Sequence, residues 1–298
     1  SARQEAERRL DSLEARAQSM SAAAFELELA RIIALADNGH TTVFSRERAG
    51  RFNRAPVRLA PFGEDFHVIR AARAQADLLG AQLVAIDGHA IADLRGAART
   101  LHGGTAAWRD RFAPYLLESP ALLHALGLAD RDDRARYRLR DGRLITRLLL
   151  ADAPDANAVN GVRALFPAPA ADEAQGWRSA LAPPSAPWSL QEPDAPYRLR
   201  DAPELDAIVV EFRQNSPSGR VDLAQFFFSV DDLARATGRR HLVLDMRLNG
   251  GGDLNTTRYF MRRLPTMVEG RIFVLTSPWT FSAAISSISG LTASGLSA

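Results

Sequence analysis

The stretch His241-Leu242-Val243-Leu244-Asp245-Met246 reads as a buried strand, and the chain runs from it into Asn249-Gly250-Gly251-Gly252 and a helical stretch over 253–264. This order constrains the fold more than any other feature. An apolar run without polar alternation is covered on both faces, as strands of parallel sheets are. Three consecutive glycines at its carboxyl end let backbone amides approach a ligand closely and adopt positive φ. The flanking sequence follows the same grammar. Residues 208–212 read as a strand, 221–237 as a helix, 272–276 as a strand, and 281–289 open another helix. Strands alternating with helices of this length predict an α/β fold built on a parallel sheet.

The part before residue 197 is organised differently. Residues 1–18 and 21–36 read as helices, the second with Phe25, Leu29, Ile32, Ile33 and Ala36 on one stripe. Asn38-Gly39 is expected to end that helix, glycine taking the left-handed cap, and 40–44 to be a short extended segment. A small β-rich stretch follows over 57–94, with strands at 57–59, 66–69 and 82–86, a turn at Asp87-Gly88 and a short helix over 74–79. Residues 97–130 read as helical, and 136–150 as a hairpin turning at Asp141-Gly142. Pro167, Pro169, Pro183, Pro184, Pro187 and Pro193 forbid long regular elements, so 152–195 is expected to be a linker or crossing segment. The division expected is therefore 1–56, 57–95, 96–195 and 196–298. The small residues of 292–298 are an odd place for a sheet to stop, so the chain is expected to be incomplete at its C-terminus.

Composition removes several chemistries. All 37 basic residues are arginine, against 35 acidic residues, a net charge of +2. Within these residues no lysine can serve as base or Schiff-base former, and so balanced a charge gives no bulk drive toward nucleic acid. The absence of cysteine excludes disulfides, thiolate catalysis and cysteine-ligated metal. No apolar run approaches the ~20 residues of a membrane span, and no signal-peptide pattern opens the chain. His67, His89, His102, His124 and His241 show no metal-ligand spacing and read as structural or solvated, so no metal is expected.

Three positions can carry chemistry. The loop at 249–252 either cradles an anion or developing oxyanion, or is a tight turn that needs glycine. Ser282, in Thr280-Phe281-Ser282-Ala283, stands at a strand-to-helix turn, where it is either a reactive hydroxyl or an N-cap. His40, in Asp37-Asn38-Gly39-His40-Thr41, is either a rigidly placed base or a capping or surface histidine.

Taken together and in this order, the three motifs resemble those of the serine peptidase family of the C-terminal processing (tail-specific) proteases and the tricorn protease core. Asp245-Met246-Arg247-Leu248-Asn249-Gly250-Gly251-Gly252 and Thr280-Phe281-Ser282-Ala283 carry most of the likeness. Gly80-Ala81-Gln82-Leu83-Val84-Ala85-Ile86-Asp87-Gly88 resembles the strand and turn of a PDZ-like domain. The resemblance implies a crotonase-like (ClpP/crotonase) catalytic core over 196–298, preceded by an N-terminal helical segment over 1–56 and a PDZ-like unit over 57–95. It implies Ser282 as nucleophile and an oxyanion hole from the amides of Ala283 and of Gly251 or Gly252. As base it implies either His40, as in the tricorn-like branch, or a residue beyond Ala298, as in the lysine-using branch. Ile285 stands where many members carry a glutamate.

The implied reaction is peptide-bond hydrolysis through an acyl-enzyme, on peptide or unfolded-protein substrates, with no cofactor, in an exported or periplasmic bacterial protein. The sequence sets no oligomeric state. Two other readings stay open: a non-catalytic peptide- or lipophile-binding protein of the same fold, and a crotonase-type acyl-CoA enzyme.

Overall fold

A computed structural model describes residues 1–43, 47–167, 176–217, 219 and 221–292, and divides into two compact units, Ser1–Ala186 and Pro187–Ala298. No described helix is long and apolar enough to cross a membrane.

The first unit opens with two helices, α1 (Ala2–Arg16) and α2 (Ala22–Ala34). Ser1 forms a capping box with Gln4, and the Ser21 hydroxyl accepts from Ala24 N–H, so both helices start where a side-chain oxygen can satisfy a free amide. Leu27, Ala30 and Ile32 of α2 are buried in the core. A short helix, α3 (Arg48–Arg51), is anchored by the buried Arg48–Glu26 ion pair at 2.7 Å.

An antiparallel sheet follows. Its strands are β1 (Val57–Phe62), β2 (Asp65–Ala72), β3 (Gln82–Ile86) and β4 (His89–Ala90); then come α4 (Ile91–Arg99), α5 (Ala106–Asp110), α6 (Pro114–Leu117) and α7 (Pro120–Ala125); β5 (Arg134–Asp141), β6 (Arg143–Leu150) and β7 (Trp177–Ser179) complete it. The order is β1-β2-β3-β5-β6, with β4 on β3 and β7 on β2.

Three sequence expectations change here. The hairpin β5–β6 is not separate from the earlier β-rich stretch, because β5 pairs with β3. The Pro-rich segment is more than a linker: Trp177–Ser179 adds to β2, and Val159 O accepts from the buried Arg58 guanidinium at 3.1 Å. The predicted extended segment at 40–44 forms no strand over its described residues, and His40 sits in a turn; Phe44 lies outside the described residues.

The second unit carries the predicted α/β grammar. Its elements are β8 (Tyr197–Ala202), β9 (Ala207–Phe212), α8 (Leu223–Thr237), β10 (His241–Asp245), α9 (Leu254–Arg263), β11 (Ile272–Leu275) and α10 (Ala283–Thr292). The sheet order is β11-β10-β9-β8. β9, β10 and β11 are parallel, and β8 is an antiparallel addition that the sequence reading did not assign. Phe226 and Val230 of α8, Phe260 and Met261 of α9, and Ala284 and Leu291 of α10 join the same buried cluster as Val210 and Leu244 of the strands. The Phe227 and Phe260 rings stack at 3.9 Å. The terminal run 293–298 lies outside the described residues.

Candidate active site

The carboxyl ends of β9, β10 and β11 each lead into a polar segment, and these segments meet. From β10, Asp245 holds Arg247 through two bonds, Nε to Oδ1 at 2.9 Å and Nη2 to Oδ2 at 2.6 Å. In the sheet register Asp245 lies beside Glu211 of β9, and both are buried. Burial pushes the Glu211 carboxyl up; the Arg213 and Arg198 guanidiniums pull against that rise, and neighbouring Asp245 adds to it. The base of the site is thus a buried carboxylate pair neutralised by arginines.

Above it, Asn249 organises two backbones at once. Its side-chain oxygen accepts from Gly251 N–H at 2.8 Å, and its carbonyl accepts from Phe281 N–H at 3.0 Å. The second bond draws the serine turn onto the glycine loop. The Thr280 hydroxyl adds a tie, donating to Met246 O at 2.9 Å, and the Ser277 hydroxyl donates to Arg247 O. Gly251 has φ +102, and a Cβ there would lie 2.6 Å from Ser282 Cβ and 2.9 Å from Phe281 O. No side chain fits, so glycine is needed at this position for space as well as for conformation.

Ser282 has φ +57. For a residue with a Cβ this left-handed conformation costs about 1–2 kcal/mol, and such strain concentrates at functional turns. The residue is half-buried, immediately before α10. Ala284 N–H bonds to Phe281 O and Ile285 N–H to Ser282 O. Among the described residues, no acceptor meets Ala283 N–H.

Gly252 is the second amide of this kind. Asn215 N–H donates to Gly251 O at 2.8 Å and Asp253 N–H donates to Asn215 O at 2.7 Å, a parallel bridge that turns Gly252's own N–H away from Asn215. Gly252 has φ +138, and a Cβ there would press on Ser216 and on the Asn215 backbone.

Asn215 is the functional candidate that the sequence reading missed. It is fully buried, and its amide donates to Thr257 Oγ1 and to Ser287 Oγ, both at 2.9 Å. It therefore ties the glycine loop to α9 and α10. The available signal was its place: a polar residue three positions after the buried strand β9, where ligand sites of open α/β sheets gather.

Ser282, Ala283, Gly251 and Gly252 are thus brought together within one unit; His40 belongs to the other. Its loop is built as follows. Asp37, not Gly39, takes the left-handed position, with φ +45. Its carboxylate accepts from Gly104 N–H at 3.0 Å and from Arg109 Nη2 at 2.5 Å, and these partners hold it below the usual carboxyl range. Asn38 Oδ1 accepts from His40 N–H at 2.8 Å, leaving the His40 side chain exposed in a fixed turn. A Cβ on Gly103 would strike the backbone of Asp37 and Asn38, so the 102–104 segment backs this loop closely.

No protein-family model matches the chain, and no curated protein matches it. Solved structures do. A crystal structure of a serine-to-alanine mutant of CPAF matches with a TM-score of 0.52, 14% identity, 86% of this chain and 52% of that chain. Mature CPAF matches with a TM-score of 0.50 at the same identity and coverage. The chain has a CPAF-like fold. It spans about half the length of the CPAF chains. The photosystem II D1 C-terminal processing protease is also similar, at 15% identity over 92% of this chain and 68% of that one, with a TM-score of 0.35. At these identities the likeness concerns mixed α/β architecture alone.

Proposed function

We propose that the chain carries the catalytic core of a serine peptidase of the C-terminal processing type. The supporting observation is Ser282: a strained serine at a helix start, packed against Gly251, beside two amides without acceptors among the described residues. In this reading the second unit is a crotonase-like core. Ser282 Oγ attacks the scissile carbonyl, and the Ala283 and Gly252 amides receive the developing oxyanion. Gly251 contributes by having no side chain, since its own N–H is committed to Asn249.

The base is His40, which takes the serine proton and returns it to the leaving amine. A PDZ-like role for the first unit's sheet, presenting an extended peptide by strand addition, belongs to the same reading. The substrate class is peptides or unfolded polypeptide, and the setting is bacterial export.

The test is hydrolysis of an unfolded protein substrate by the full chain. Ser282→Ala is expected to abolish turnover. His40→Ala is expected to lower kcat by about 10²–10⁴ with the fold unchanged. Turnover that survives Ser282→Ala would remove the assignment, and full turnover in His40→Ala would move the base elsewhere.

A further inference from the structure

Four arginines from different parts of the first unit line one cleft. Arg9 comes from α1, Arg31 from α2, Arg99 from the end of α4 and Arg109 from α5. The cleft has a volume of about 530 Å³, within the size range of small-molecule sites.

Three of these arginines are fixed by carboxylates outside the wall. Arg9 Nε bonds to Glu5 at 2.6 Å. Arg99 bonds to both oxygens of Asp110, at 2.6 and 2.7 Å. Arg109 bonds to Asp37 at 2.5 Å and to Gly104 O at 2.8 Å. Arg31 is held more loosely, 3.7 Å from Glu28, the one carboxylate in the wall. The lining thus holds four arginines and one carboxylate, with three of the arginines ion-paired behind it.

The pairing also leaves donors over. A guanidinium has five N–H groups in a rigid fork, and the bonds of Arg9, Arg99 and Arg109 leave at least one terminal NH₂ of each uncommitted among the described residues. Between 28% and 38% of each of the four side chains is exposed.

His102 stands in the same lining. Its ring lines the cleft, is 3% exposed, and stacks on Phe112 at 4.6 Å. Nδ1 lies 3.4 Å from Thr42 Oγ1, whereas the buried Nε2 has no partner. A buried polar atom without a partner is costly and uncommon.

We infer that this cleft binds a small molecule through a phosphate or carboxylate group, gripped by Arg9, Arg31, Arg99 and Arg109. Forked N–H pairs match such oxygens in geometry and charge. The volume leaves room for the rest of a ligand larger than the anion. The inference does not depend on the role given to Ser282.

The experiment is calorimetric titration of the full chain with inorganic phosphate and, separately, with acetate, at low chloride. One saturable site is expected. Phosphate alone binding identifies a phosphate-bearing ligand, and acetate alone a carboxylate. The Arg31→Gln/Arg99→Gln double variant is expected to weaken binding at least 10-fold. Asp110 keeps Arg95 at 2.6 Å in that variant, so no buried carboxylate loses its last partner. Near-UV circular dichroism verifies the fold, and the Arg31→Lys/Arg99→Lys variant is expected to recover part of the affinity. Absence of saturable binding of either anion, or undiminished affinity in the folded glutamine variant, would overturn the inference.

Discussion

At the scale of single residues, two kinds of position behave differently. Gly251, Gly252 and Ser282 were legible because their demands are local: a backbone held at positive φ and too close to its neighbours for a side chain. Asp37 was not. The sequence points to Gly39 for the left-handed cap, yet Asp37 takes it because Gly104 and Arg109, 67 and 72 residues away, satisfy its carboxylate there. The strain at Ser282 can be measured by comparing two variants that both lack the hydroxyl. Ser282→Gly should be more stable than Ser282→Ala to urea by about 1 kcal/mol, since only alanine keeps the Cβ that opposes φ +57. Equal stabilities would mean that no strain is stored at the turn.

His102 makes a second prediction at this scale. Burial first, then the charges of Arg48, Arg109 and Arg111, hold its ring down to about 3. The unfolded ring binds its proton near pH ~6.5. Between these values the unfolded state holds the extra proton, so stability is present above the unfolded value and is lost as pH falls. The slope is up to about 1.4 kcal/mol per pH unit. Urea melts from pH 7 to pH 4 should show this loss in the native chain and a shallower one in His102→Phe. Identical slopes would assign the acid sensitivity to carboxylates.

Among the elements, the strand-loop-helix units of the second half were readable from their periodicity, because a long buried strand followed by glycines has few alternatives. The strands missed are those whose identity depends on pairing. β8 alternates Tyr197, Leu199 and Asp201 with arginines in a region dominated by prolines, and β7 is three residues that exist as a strand only against β2. Asn215 was missed for a related reason: its partners Thr257 and Ser287 sit on helices that follow it by 42 and 72 residues. Its buried amide joins three elements around the glycine loop. Asn215→Ala should cost about 1–3 kcal/mol, the range for removing one partner of buried hydrogen bonds. It should also lower kcat about 10-fold more than it changes KM, because in the proposed mechanism the loop shapes the transition state rather than the substrate complex. A variant that loses stability but keeps native kcat would reduce Asn215 to a packing role.

For the whole molecule, the α/β half was the legible half, because its strands and helices alternate in chain order. The first half was less legible because its sheet is assembled from distant pieces: β5 and β6 arrive after four helices, and β7 comes from within the proline-rich segment. The proposed nucleophile lies in one unit and the proposed base in the other. The proposal is tested by the rate of fluorophosphonate labelling of the full chain, with the adduct mapped by mass spectrometry. A single adduct on Ser282 is expected, with no labelling in Ser282→Ala and labelling slowed at least 100-fold in His40→Ala. A folded chain that takes no label, takes it on another residue, or labels equally fast without His40 would contradict it.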